Sequence, residues 1–243
     1  MTVLENYDTQ VKEAVELFWK TRDTQKQRQL ESEIQDAGMR GAVTGGKQMD
    51  GFIHLLKQIS IDSGVSDEYI YIKGNKLPGF FRPTKDWDFL IVSPKKHLIS
   101  CIEFKSQVGS FGNNFNNRTE EALGTAVDIW TAFREGAFPN QEAPWIGYLL
   151  VVERKRKSSI PVKVRETHFK VFKEFIRTSY LDRYKILCKK LMLERHYNSA
   201  SMIWTSNNLD SNITYGYMDN ELSFDRFVES FVGFLRGKMS EFE

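Results

Sequence analysis

Three side chains with the types and spacing of a hydrolytic centre lie in the stretch 86–105, DWDFLIVSPKKHLISCIEFK. Asp88 opens one apolar run, and the triplet Glu103-Phe104-Lys105 closes the next. Two neighbouring strands joined by a tight turn would bring both carboxylates and the amine to one sheet edge. In a strand, residues 103 and 105 share a face while Phe104 points to the other. An acid-x-lysine triplet is often no more than alternating charge on an exposed strand. Here both flanking runs are apolar, so the carboxylates are expected to be buried, and buried carboxylates need compensation. A hard divalent cation with oxygen ligands provides it. Asp88 and Glu103 then hold the metal, with the backbone carbonyl of Phe104 as a further donor. Lys105 would polarise an attacking water or neutralise charge building on a pentacovalent phosphate. Phosphodiester cleavage is therefore the leading expectation, with Asp88, Glu103 and Lys105 as catalytic residues. Asp86 shares strand parity with Asp88 and competes for the metal role, whereas Trp87 would face away. Gln107 continues the parity of Glu103 and Lys105 and could support the water or a phosphate.

The segment after the triplet, QVGSFGNNFNNR, holds four asparagines, one arginine, two glycines and two phenylalanines in twelve residues. Asparagine can pair bidentately with adenine in the major groove and arginine with guanine, and glycine lets backbone approach a phosphate. Asn113, Asn114, Asn116, Asn117 and Arg118 are read as a polar loop facing DNA; the alternative is a turn whose amides cap the next helix. The run Arg154-Lys155-Arg156-Lys157 reads as a mobile basic loop at a strand end, either a phosphate clamp or a solvated hairpin tip. Lys163 and Arg165 alternate on what would be the return strand and extend the same face. Gly41-Ala-Val-Thr-Gly-Gly46-Lys47 matches the opening of a phosphate-binding P-loop, but Gln48 stands where a hydroxyl should be and no buried strand precedes it. Lys47 keeps a possible DNA phosphate contact. His54, His97, His168 and His196 lack zinc-site spacing, the two cysteines do not complete one, and no G-x-S-x-G elbow is present.

The elements that must position these groups follow from length and periodicity. With 243 residues, 41% hydrophobic content and 18 Phe, the chain can bury a substantial core. No apolar run approaches the length of a bilayer span, and the start MTVLENYDTQ has no targeting pattern. Cys101 and Cys188 read as small core residues of a reducing compartment. The net charge of +2 conceals two basic blocks: residues 73–118 carry 8 Lys/Arg against 3 Asp/Glu, and residues 153–195 carry 14 against 5. Both ends are net acidic, so one cationic face suited to nucleic acid is expected. Helical spacing covers 3–36 and 48–63. Short strands are predicted at 69–73, 89–93 and 98–104, and Thr119 caps a helix over 120–135. The continuous apolar run 145–152 reads as a fully buried strand. A basic amphipathic helix at 180–197, a last strand at 200–205 and a final helix at 224–235 complete an α/β order with a mixed sheet flanked by helices.

Five segments together resemble the XhoI-like family of type II restriction endonucleases: GGKQMDGF, IKGNKLPGFFRPTKDWDFLIV, EFKSQVGSFGNNFNNRTEEALGTAVDIWTAFREG, VKVRETHF and SYLDRYKILCKKLMLER. The resemblance runs over roughly residues 38–206 and is weaker at both ends. It implies the restriction-endonuclease-like PD-(D/E)XK core as one nuclease domain over 1–243, with an N-terminal helical segment (about 1–37) and a C-terminal helix (about 222–237). It further implies site-specific deoxyribonuclease activity (EC 3.1.21.4), Mg2+ as cofactor, and a homodimer on palindromic double-stranded DNA. The usual target is CTCGAG, cut after the first cytosine to leave four-base 5′ overhangs. A bacterial or archaeal cytoplasm and a cognate DNA methyltransferase protecting the host are implied as well. Asp88, Glu103 and Lys105 take the motif positions, although the proline, Pro83, is displaced from the acid. Gln107 stands where relatives need not have glutamine. The alternatives are a repair or recombination nuclease of the same fold without sequence preference, and a DNA-binding module without catalysis.

Overall fold

In the computed structural model, which describes residues 7–33, 47–207 and 213–243, the two runs around the triplet become neighbouring strands. β4 (Phe89–Val92) and β5 (Leu98–Gln107) pair antiparallel, with Phe89 opposite Ile102 and Ile91 opposite Ser100. The turn between them puts Lys96 at a φ of 63°. β5 pairs in parallel with β6 (Trp145–Glu153), and β6 in parallel with β7 (Ser199–Asn207). Two antiparallel edges, β1 (Ile70–Tyr71) on β4 and β8 (Ile213–Tyr217) on β7, complete a six-stranded mixed sheet in the order β1-β4-β5-β6-β7-β8. Parallel neighbours require crossovers, and two helices provide them: α3 (Phe111–Arg134) between β5 and β6, and α5 (Tyr180–Leu193) between β6 and β7. Ser179 and Asp182 start α5 with a reciprocal capping box.

Strand parity sorts the core into two layers. On one face, α1 (Asp8–Glu33), α2 (Asp50–Asp62) and α6 (Phe224–Gly237) press Phe18, Phe52 and Phe231 onto Ile102, Phe104 and Leu149. On the other, α3 and α5 cover Cys101, Tyr148, Leu150 and Met202. β6 lies between both layers, and residues 145–152 are all buried, as a run without polar alternation requires. Gly147 is needed there: a Cβ would fall 2.4 Å from the Trp145 ring and 2.8 Å from Phe227. Cys101 and Cys188 are buried free thiols. Among the described residues no helix is long and apolar enough to cross a membrane.

Several expectations are corrected. The stretch Asn113–Arg118 is not a loop but the first turns of α3, which starts at Phe111 rather than at residue 120. Phe111 stacks on Tyr180 and Phe115 meets Tyr184 edge-on, so packing against α5 overrides the poor helix propensity of glycine and asparagine. Thr119 is accordingly mid-helix, its hydroxyl donating to the Phe115 carbonyl at 3.0 Å. The strand expected at 200–205 is present as β7, but it is followed by β8, the last strand among the described residues. Arg156–Ser159 forms a one-turn helix, α4, rather than a hairpin tip; the Ser158 hydroxyl accepts the Lys155 N–H at 2.9 Å and donates to the Glu153 carbonyl at 2.8 Å. Lys163 and Arg165 lie in irregular chain outside any sheet, so no return strand carries them. The turn-rich segment before Asp88 holds a separate two-stranded hairpin, β2 (Lys76–Pro78) with β3 (Thr84–Asp86). The glycine-rich stretch 38–46 lies outside the described residues, as do residues 3–6 and 34–36 of the segment expected to be helical.

Candidate active site

Asp88 sits one residue before β4, and the antiparallel register carries it alongside the end of β5. One of its carboxylate oxygens accepts the Phe104 N–H at 2.8 Å. A strand residue turns its N–H and C=O to the same side, so the Phe104 carbonyl is directed to the Asp88 edge as well. Asn75 donates to the Asp88 backbone carbonyl at 3.2 Å and ties the hairpin to this edge.

Glu103, with a side chain 5% exposed, is ion-paired on both oxygens: Lys105 holds Oε1 and Lys85 holds Oε2. Lys105 comes from two residues along β5, as parity requires. Lys85 comes from β3 and was not singled out from the sequence. Its ammonium also donates to the Asp86 carbonyl at 2.9 Å and lies 4.4 Å from the Trp87 ring centroid. Its closeness to the acid, three residues before Asp88, is a signal only once the hairpin is known. Asp86 does not reach the centre; it is exposed and pairs with Lys76 at 3.3 Å, because it closes the β2–β3 hairpin instead of extending β4.

Electrostatics follow the burial. Removal from water, then the Glu103 charge, push the Asp88 carboxyl up to about 6, against the opposing pull of the Phe104 N–H and the two lysines. For Lys105, burial disfavours the ammonium, but Glu103 outweighs it and holds the pKa above the ordinary lysine value. Glu103 thus links two ammoniums beside the Asp88 carboxyl.

Asp88, Lys105, Gln107 and Arg118 line a cleft of about 380 Å³ together with Arg22 and Gln48. Gln48 is buried, accepts from Arg22 at 2.9 Å and donates to the Ser106 hydroxyl. Neither Arg22 nor Gln48 was singled out as a site residue, because nothing local links α1 or the Lys47–Met49 turn to the end of β5. Gln107 is buried, donates to the Gly109 carbonyl at 2.6 Å and leaves its other amide atom without a partner. Arg118 turns inward, bonding Glu121 at 2.5 Å and the Ser106 carbonyl at 3.3 Å, with its Nε unpartnered. Asn114 lines the same cleft. Asn113, Lys155, Arg156, Lys157 and Lys163 line a second, wider cleft of about 910 Å³ beside the first turn of α3. Lys155 also pairs with Glu153 at 2.6 Å, and Arg154 stacks 4.3 Å over Trp204. Lys47, Asn116, Asn117 and Arg165 are exposed and line neither cleft.

The donors at the centre suit a hard cation. Asp88, Glu103 and the Phe104 carbonyl would all offer oxygen donors, and among the described residues no three His, Cys, Asp or Glu side chains converge as a closed zinc site would require. So small a protein donor set fits an ion that keeps several waters, as magnesium does.

Residues 28–217 match the family described as restriction endonuclease XhoI. The chain belongs to the XhoI family of restriction endonucleases. It is 47% identical over 201 residues to the type II restriction enzyme BstVI of Geobacillus stearothermophilus, covering 80% of this chain and 90% of that protein. It is 44% identical over 195 residues to the type II restriction enzyme XhoI of Xanthomonas vasicola, covering 79% and 77%. It is 45% identical over 170 residues to the type II restriction enzyme AbrI of Azospirillum brasilense, covering 69% and 76%. No solved structure matches the chain. In this XhoI-family chain the matched region contains Lys85, Asp88, Glu103, Lys105 and both clefts' α3 residues, while Arg22 lies before it.

Proposed function

We propose that the protein is a type II restriction endonuclease of the PD-(D/E)XK fold, hydrolysing palindromic double-stranded DNA as a homodimer with Mg2+. The observation that carries this reading is the convergence of Asp88, Glu103 and Lys105 at the end of β5, opening into a cleft lined by Asn114 and Arg118. Asp88, Glu103 and the Phe104 carbonyl would hold the metal, which when bound supplies Lewis acidity and lowers the pKa of water. Lys105, kept charged by Glu103, would orient a water and neutralise charge developing on the scissile phosphate. The second cleft, with four cationic side chains, would hold phosphates and fix register, while asparagine and arginine at the start of α3 approach bases. From the family resemblance, the site is proposed as CTCGAG, cut after the first cytosine to leave four-base 5′ overhangs. A cognate methyltransferase in the same bacterial or archaeal cytoplasm would protect host DNA.

A sequence-indifferent repair nuclease and a non-catalytic DNA-binding module fit less well. The relatives are restriction enzymes by name, and the acid pair and lysine are all present. The test is digestion of a plasmid with mapped CTCGAG sites in Mg2+. Discrete fragments with four-base 5′ ends are expected; a smear would favour the repair nuclease, and binding without cutting the module. Lys105→Ala should slow cleavage by about a hundredfold or more while duplex binding persists. Near-wild-type cutting by that variant would remove Lys105 from the mechanism.

A further inference from the structure

We propose that Lys85 is the resident cation of the metal site, held on Glu103 until a divalent ion displaces it, so that metal binding is coupled to the arrival of DNA. The inference rests on the metal-dependent reading above. Glu103 is almost fully buried, and both of its oxygens are taken by ammonium groups. Each oxygen keeps a second lone pair, but a divalent ion that ligates one of them meets the charge of the ammonium already there, and that repulsion favours release of one lysine.

Lys85 is the one built to leave. Lys105 is fixed by its own strand, two residues along β5 within the continuous main-sheet ladder. Lys85 sits on the separate β2–β3 hairpin and has other seats ready, the Asp86 carbonyl at 2.9 Å and the Trp87 ring face at 4.4 Å. The Lys85 side chain is itself 12% exposed, so on leaving Glu103 it depends on these two contacts to keep its charge partnered. In the metal-free protein Lys85 spares a desolvated carboxylate pair from standing uncompensated. With metal present the same ammonium is expelled beside the entering ion, where the two cations repel each other. A DNA phosphate at the cleft would accept the released ammonium and relieve that repulsion. By linkage, DNA must then tighten metal binding by the factor by which metal tightens DNA binding. Lys85 is a positioning residue in this scheme, acting through Glu103.

The experiment measures Ca2+ binding by calorimetry without DNA, for wild type, Lys85→Met, Lys85→Arg and Asp88→Asn. Lys85→Met should bind Ca2+ about tenfold or more tightly than wild type, and Ca2+ should raise its melting temperature by more than it raises that of wild type. Lys85→Arg, which keeps the charge, should stay close to wild type, and addition of uncleaved CTCGAG duplex should tighten Ca2+ binding less in Lys85→Met than in wild type. Wild type itself gives a second readout that does not depend on a variant folding. Acetylation of Lys85, followed by mass spectrometry, should rise severalfold on adding Ca2+ while that of Lys105 changes less. Unchanged or weaker Ca2+ binding in a folded Lys85→Met, or Lys85 reactivity indifferent to Ca2+, overturns the proposal. If Asp88→Asn binds Ca2+ as wild type does, the metal reading of the site fails along with it. If Asp88→Asn loses binding and Lys85→Met matches wild type, only the role of Lys85 fails.

Discussion

Glu103 has an ammonium on each oxygen, whereas Asp88, one strand away, is held by the Phe104 N–H at 2.8 Å. The two acids of one site therefore carry different burdens. Burial and the Glu103 charge raise Asp88 to about 6 from an ordinary value near 3.8. A raised acid binds its proton more tightly in the folded state, so ionised Asp88 costs stability above about pH 6. That cost is relieved as pH falls from about 6 toward the unfolded value. For the metal-free protein in chelator, the contribution of Asp88 to stability should grow by roughly 2 kcal/mol between pH 7 and pH 4. Urea denaturation across that range should show the gain in wild type relative to Asp88→Asn, and parallel pH profiles for the two proteins would refute it.

The hairpin that delivers Lys85 is anchored at its far end by one carboxylate. Asp128 of α3 accepts the Phe80 and Phe81 N–H groups at 2.8 Å each and the Arg82 Nε at 2.7 Å. Burial alone would raise its pKa, but these donors outweigh it and hold the carboxyl below the ordinary value. Gly79 lets the backbone approach this closely, since a Cβ there would lie 2.5 Å from Asp128 Oδ2. Asp128→Ala should therefore cost about 1–2 kcal/mol by removing the one buried acceptor that three donors share, and Gly79→Ala should destabilise by forcing the carboxylate away. Thermal melts and cleavage rates check both. Wild-type stability in Asp128→Ala would mean that the anchor is dispensable. α3 serves two tasks at this scale: its first turns bring Asn114 and Arg118 to the cleft, and its middle holds the hairpin.

Across the molecule, the sheet separates a helical layer rich in phenylalanine from the layer that contains α3 and α5, and the cationic side chains of both clefts lie near the end of β5. If Lys155 and Lys157 meet phosphates there, the double change Lys155→Ala plus Lys157→Ala should lower the slope of log K against log salt by about two, with target preference retained. An unchanged slope would place both lysines off the DNA path.

Properties set by period and composition were readable along the chain. Alternation put Glu103 and Lys105 on one face, the unbroken apolar run marked the buried strand at 145–152, and the interval from Asp88 to Glu103 matched an antiparallel pair. Each of these is local, because strand parity and hydrophobic burial act on residues near one another in sequence. Contacts between distant segments were not readable. The hairpin register sent Asp86 outward to Lys76 and Lys85 inward to Glu103, although the two are adjacent in sequence. Packing of Phe111 and Phe115 on α5 turned an asparagine-rich segment into helix, and the approach of α1 brought Arg22 to Gln48. The chain alone names the acids and the lysine of the motif; only the folded arrangement supplies the second lysine on Glu103, since its position depends on a long-range docking that no spacing encodes.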